Sequence, residues 1–330
     1  MDVFDLARRL IDIPSITGDE LAVGQFLVSY LERLGYRVER QEIAPDRFNV
    51  IATTEAPPRI VFSTHIDTVP PFIKSSEDDE FIYGRGSCDA KGIMAAQIFA
   101  AQRLRDEGVN EIGLLFMVDE EMSSLGAQAA NNHPLAVSCR FLINGEPTDS
   151  RLATGTKGSV RAVITTEGRA AHSAYPEAGE SAIEKLLDIL QEIRASKWPE
   201  DGFFGTTTCN IGVLSGGTRP NVIADKARAE LQIRLGIDIE HIKSVLEAAV
   251  GTRGRLEYSS AHNPVKLFSV PGFEECVVRF TTDVPYLSEW GKPLLLGPGS
   301  IFDAHTAHER ISKRELEQAV DIYFKLSKQL

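Results

Sequence analysis

A histidine and an aspartate stand two residues apart in "STHIDTVP", as His65 and Asp67, directly after the apolar, β-prone run "RIVF". Residues i and i+2 of a strand project to the same face, so these two side chains are expected to be neighbours. Other apolar runs end in residues of the same chemistry. "GLLFMV" leads into Asp119, Glu120 and Glu121, "RFLING" into Glu146, and "PLLLGPG" through a short loop to His305. Asp89 stands directly before a helical stretch that starts near Ala90, at an expected N-cap position. Each residue alone has an ordinary reading: His65 a hydrogen-bonded structural histidine, Asp89 a helix cap, Glu120 and Glu121 loop acids, Glu146 turn decoration before Pro147. Their joint placement favours one shared site, because open α/β sheets bind ligands beyond the carboxyl ends of their strands.

Charge then selects the chemistry. Asp89, Glu121 and Glu146 brought together would repel one another and take up protons. Two divalent cations offset the three carboxylates and leave a small positive surplus beside neutral imidazoles, which suits an ionised water. Nitrogen and oxygen donors without thiolates point to zinc, with manganese or cobalt as substitutes. In that setting Asp67 is expected to accept the second ring N–H of His65, fixing its tautomer rather than binding metal itself.

The elements that must carry these residues are legible as an alternation. "MDVFDLARRLIDIP" reads as an amphipathic helix ended by Pro14. "TGDE", with Thr17 and Glu20, reads as a capping box opening a helix that runs to Gly35. "NVIAT", "RIVFST", "GLLFMV" and "RFLING" read as strands, with a helix over "AKGIMAAQIFAAQRLRDEG". This predicts an α/β domain with a mostly parallel sheet. After residue 155 the rhythm changes to strand, helix, two strands and helix, which predicts an inserted α+β, ferredoxin-like module. The boundaries expected are 1–155 and 262–330 for the larger domain and 156–261 for the insert. The acidic run "SSEDDE" at 75–80 reads as a solvated turn.

Composition narrows the function classes. With 47 acidic against 35 basic residues and a net charge of −12, a nucleic-acid surface is not expected. No stretch is apolar enough for a membrane helix, and the N-terminus lacks a signal-peptide pattern, so a cytoplasmic protein is expected. The four cysteines, Cys88, Cys139, Cys209 and Cys276, are scattered and suggest neither a disulfide framework nor a thiolate metal site. "GRGS" lacks the Gly-Lys-Ser/Thr ending of a phosphate loop, which argues against a nucleotide-binding protein.

Seven motifs in order, "STHIDTVP", "GRGSCDAKG", "VDEE", "NGEPT", "GRAAHSAYPEAGESAI", "GGTRPNVIADKARAELQIR" and "GPGSIFDAHTAHE", resemble those of the two-zinc amidohydrolases. That family includes acetylornithine deacetylase, succinyl-diaminopimelate desuccinylase and glutamate carboxypeptidase. The resemblance spans the chain and implies a zinc-exopeptidase-like catalytic domain with an inserted lid and dimerisation domain. It implies that His65 and Glu146 hold one metal, that Glu121 and His305 hold the other, and that Asp89 bridges them through a residue followed by a cis peptide bond. Glu120 matches the general base. His172 matches a histidine that reaches the oxyanion from a partner subunit, which implies a homodimer. Asn221 and Arg234 match substrate-holding positions, Arg234 through a carboxylate. His305 rather than His308 follows the family's Ala-His-Thr pattern. The expected substrate is an N-acyl amino acid, N-acetylornithine first and hence arginine biosynthesis, with a dipeptide, a C-terminal residue or succinyl-diaminopimelate as alternatives. The segment between Asp67 and Asp89 is shorter than the family pattern, which alters the pocket rim. A non-catalytic binding protein on the same scaffold is disfavoured because neither Glu120 nor any of the ligands is missing.

Overall fold

The structure, a computed structural model, describes residues 1–330. Contacts divide it into a larger unit, Met1–Thr154 with Leu267–Cys276 and Thr282–Leu330, and a smaller one, Gly155–Lys266 with Val277–Thr281. Gly155, residues 262–266 and the segment Val277–Thr281 go with the smaller unit, whereas the sequence places them in the larger.

The chain opens with α1 (Val3–Ile11), closed by a capping box in which Asp5 N–H donates to Asp2 and Asp2 N–H to Asp5. Its Val3, Leu6, Ala7, Leu10 and Ile11 form the buried stripe that a 3.6-residue period requires. Then follow α2 (Leu21–Arg33), β1 (Arg37–Ala44), β2 (Arg47–Thr53), β3 (Ile60–His65), β4 (Ser76–Glu77), β5 (Phe81–Tyr83), α3 (Lys91–Asp106), β6 (Ile112–Met117), α4 (Leu125–Ala130), β7 (Phe141–Asn144) and β8 (Leu152–Thr156). Helix α3 is sunk in the core along nearly its whole length. Small residues allow this: a Cβ on Gly92 would stand 2.3 Å from the Ser87 carbonyl oxygen.

The smaller unit contains β9 (Gly158–Glu167), α5 (Ala182–Ala195), β10 (Glu200–Asp201), β11 (Gly205–Thr206), β12 (Thr208–Gly216), β13 (Lys226–Leu235), α6 (Ile239–Val250), β14 (Arg255–His262) and β15 (Val265–Lys266). Its four-stranded antiparallel sheet has the order β12-β13-β9-β14, with α5 and α6 packed on its apolar face through Leu186, Ile189, Leu190, Ile242 and Leu246. β14 completes a βαββαβ unit, one strand more than the sequence suggested.

The chain ends with β16 (Glu275–Val278), β17 (Lys292–Leu295), β18 (Arg310–Ser312) and α7 (Lys313–Gln329). In the larger unit the main sheet runs β1-β2-β6-β3-β7-β17-β8. Only its middle, β6-β3-β7-β17, is parallel, and the pairs β1-β2, β2-β6 and β17-β8 are antiparallel. The sheet is therefore mixed, not mostly parallel. Those four central strands lead into His65, Glu121, Glu146 and His305, and being parallel and adjacent they release these four at one edge, whereas Asp89 follows β5, outside this sheet. Both faces are covered. Phe62 of β3 faces the helical layer and meets Tyr323 edge-on, while Val61 joins a second cluster with Leu115, Leu142 and Trp290. No helix is long and apolar enough to cross a membrane.

Candidate metal centre

His65 closes β3 fully buried, and its Nε2 lies 2.9 Å from Asp89 Oδ1. Asp89 does not cap a helix. The cap position of α3 is Ala90, and the Asp89 carboxylate instead spans two imidazoles, with Oδ2 3.3 Å from His305 Nε2. The same His305 nitrogen is 2.9 Å from Glu121 Oε1. His308 makes no such contact; its backbone N–H donates to Thr306 Oγ1. Two donors on one tetrahedral zinc lie about 3.3 Å apart for metal bonds of roughly 2.0–2.1 Å. The observed spacings fall within a few tenths of that. The ligating atoms of His65, Asp89 and Glu121 lie within 4.8 Å of one another. Glu146, also buried, leaves Oε1 without a hydrogen-bond partner, an orphaned acceptor that a cation would satisfy. The residues present fit a two-cation site. The peptide bond after Asp89 is cis, and Pro70–Pro71 is a second cis bond in the short segment between Asp67 and Asp89.

Asp67 departs from its expected role. The nearer partner of His65 Nδ1 is the Asp67 carbonyl oxygen at 2.9 Å, with the carboxylate at 3.5 Å. Asp67 Oδ1 accepts the N–H of Glu120 at 3.1 Å, and Oδ2 accepts the N–H of Glu121 at 3.2 Å and the Thr17 hydroxyl at 2.8 Å. One buried carboxylate thus holds the backbone of both glutamates. Thr17 spends its hydroxyl there instead of capping α2, so the expected capping box does not form.

Asp119, just before the pair, has a positive φ of 72°, which turns the chain at the end of β6. Its carboxylate meets the Arg47 guanidinium at 2.7 Å, and Arg47 also grips the buried Glu20 at 2.5 and 2.7 Å. Breaking this buried triad leaves two carboxylates uncompensated, so Arg47→Met is expected to cost about 3–5 kcal/mol of stability. Urea unfolding would measure it, and a loss below about 1 kcal/mol would return the triad to the class of weak surface pairs.

Electrostatics bear on how the site behaves without cations. Burial and the neighbouring Glu146 push the Glu120 carboxyl well above its usual range, and burial and Asp89 do the same to Glu146. Hydrogen bonds that the His305 ring donates to Asp89 and Glu121 lift its pKa to about 10. A folded pKa above the unfolded value of about 6.5 means a contribution complete below pH ~6.5 and lost as pH rises towards 10. Metal-free protein is therefore expected to melt at progressively lower temperature from pH 6.5 to 10. Zinc affinity should rise over the same range, since ligation needs neutral imidazole. Melting curves in chelator check this, and a flat profile would contradict it.

In the smaller unit, His172 is exposed and its Nδ1 accepts the Ala174 N–H at 3.1 Å, which leaves the ring proton on Nε2. Ser173 N–H donates to the Asn221 carbonyl at 3.1 Å, so His172 and Asn221 share one end of the sheet. Arg234 does not join them. It donates to Thr281 Oγ1 at 2.9 Å near the far end of β13, about 26 Å along the strand at 3.3 Å per residue from Lys226.

Residues 154–255 match the peptidase dimerisation domain of the M20 family. A Schizosaccharomyces pombe protein described as containing a peptidase M20 domain is 37% identical over 333 residues, covering 98% of this chain and 83% of that protein. The chain belongs to the M20 metallopeptidase family. A protein of Aspergillus niger named a probable carboxypeptidase is 38% identical over 363 residues, covering 97% of this chain and 87% of its own length. Among solved structures, an M20 metallo-carboxypeptidase of Sulfolobus solfataricus superposes with a TM-score of 0.81 at 17% identity, covering 100% of this chain and 99% of that one. A Bacillus subtilis protein described as a dinuclear metal-binding M20 peptidase does so with a TM-score of 0.71 at 14% identity, covering 99% and 98%. As an M20 member the chain is a metal-dependent hydrolase of amide or peptide bonds, built on an α/β catalytic domain with a mixed sheet and an inserted dimerisation domain.

Proposed function

We propose that this M20 member is a two-zinc exopeptidase acting on short peptides or N-acyl amino acids that carry a free carboxylate. The convergence of His65, Asp89, Glu121, Glu146 and His305 at one sheet edge supports this, with Glu120 fixed beside them by Asp67. His65 and Glu146 would hold one ion, Glu121 and His305 the other, and Asp89 both. When bound, the ions supply Lewis acidity, making water more acidic and polarising the amide carbonyl. Glu120 takes a proton from the attacking water and passes it to the departing nitrogen, so the amine leaves neutral. His172, with its proton on Nε2, donates to the oxyanion, and Arg234 pairs with the substrate carboxylate. The match of residues 154–255 to a peptidase dimerisation domain supports a homodimer in which a second copy supplies His172.

The relatives at 37–38% identity that are named probable carboxypeptidases favour a C-terminal peptide bond over N-acetylornithine, the substrate the sequence put first. A panel of dipeptides, N-acetyl and N-succinyl amino acids, assayed with and without chelator, tests this. Chelator-sensitive release of a C-terminal residue is the expected result. Turnover of N-acetylornithine alone would restore the deacetylase assignment, and no turnover of any member would remove the exopeptidase proposal.

A further inference from the structure

Glu309 lies four residues beyond His305, in "HTAHE", and is buried. Its side chain gathers the loop that ends at Asp89. Oε1 accepts the backbone N–H of Gly86 at 2.9 Å, of Cys88 at 3.1 Å and of Asp89 at 3.1 Å. Oε2 accepts from Arg85 Nη1 at 2.5 Å, and the Glu309 carbonyl accepts the Gly84 N–H at 3.0 Å. Three backbone N–H groups converging on one oxygen form a concave anion cradle, here filled by the protein's own carboxylate.

The consequence lies at Asp89, the residue on which both imidazoles converge. A carboxylate on a single methylene reaches only where its backbone puts it, and the Asp89 N–H is tied to Glu309. One loop therefore delivers the imidazole of His305 and also fixes the backbone of Asp89, 220 residues away in sequence. Gly86 tightens the arrangement further. Its φ is +87°, and a Cβ there would stand 2.9 Å from the Lys91 side chain.

We propose that Glu309 is a positioning residue for the metal centre: by gripping the N–H groups of Gly86, Cys88 and Asp89 it sets the backbone from which Asp89 reaches both ions. This rests on the two-metal assignment above. A purely structural glutamate would lower the melting temperature and leave the metal affinity of the folded chain unchanged. A positioning residue lowers that affinity in protein that is still folded.

The test is zinc titration of full-length, metal-stripped protein against a chromogenic chelator, with circular dichroism confirming the fold. Glu309→Gln keeps the size but loses the charge facing Arg85 and the N–H cradle. Its zinc affinity is expected to fall roughly 10–100-fold, the range seen when groups behind a ligand are removed. In the zinc-loaded enzyme kcat should fall while KM stays within about twofold. Should Glu309→Gln fail to fold, Glu309→Asp decides in the same assay, since it keeps the charge and withdraws it from the cradle, and the same direction of change is expected. A wild-type chain that takes up two zinc ions, beside a folded variant that binds them as tightly, overturns the role of Glu309 alone. A wild-type chain that takes up none removes the two-metal assignment and this inference with it.

Discussion

Glu120→Ala is expected to keep its full metal content and lose turnover by about 10³-fold, inside the 10²–10⁴ range typical of a positioned general base. The two halves of this result come from different contacts. Glu120 is held through its backbone N–H by Asp67, and its side chain forms no hydrogen bond with His65, Asp89 or His305. Truncating its side chain leaves the hydrogen bonds of those residues in place, so the ions should still bind. The proton that must travel from water to the leaving nitrogen then has no carrier. Metal analysis of the purified variant beside its kcat would show this. Wild-type-like kcat would remove Glu120 from the chemistry, and loss of metal would make it a ligand instead.

Asp89→Ala is expected to have the opposite signature. Its two oxygens stand against His65 and His305, so the substitution removes the only group shared by both halves of the cluster. Zinc affinity should fall by more than about 100-fold, beyond the loss from removing a group behind a ligand. Activity should fall below detection at micromolar zinc. Stabilisation by bound ions scales with the logarithm of concentration over Kd, so the rise in melting temperature that zinc gives the wild type should vanish. Isothermal titration and melting curves with added zinc measure both. An Asp89→Ala chain that still binds two ions with wild-type affinity would show that Asp89 is not part of the centre.

Much of this candidate site was readable in the sequence because its candidate ligands, Asp89 apart, follow apolar runs. "RIVF", "GLLFMV", "RFLING" and "PLLLG" each identify a buried strand, and four parallel neighbours must open on one edge. What stayed hidden depends on contacts between distant residues. Thr17 and Glu20 match a capping box by spacing, yet Thr17 is drawn to Asp67 and Glu20 to Arg47, because buried carboxylates demand donors more strongly than a helix end open to water. Asp89 likewise matches a cap until two imidazoles compete for it. The Asp67 carboxylate was assigned to His65 by its i+2 spacing, but the strand ends at His65 and the chain turns, so the carbonyl takes the ring nitrogen. Arg47 with Asp119 and Glu309 with Asp89 are pairs separated by 72 and 220 residues, and no local periodicity encodes them. The antiparallel flanks of the sheet escaped for the same reason, since strand direction depends on connection path and not on strand composition.

The proposed centre is a pair of cations caged by residues from five separate segments. Crystals grown with excess zinc, with diffraction collected at the zinc absorption edge, test this most directly. Two anomalous peaks are expected, one contacting His65 and Glu146, the other Glu121 and His305, with Asp89 reaching both. An absence of anomalous density among these five side chains, in crystals where zinc is present elsewhere, would contradict it.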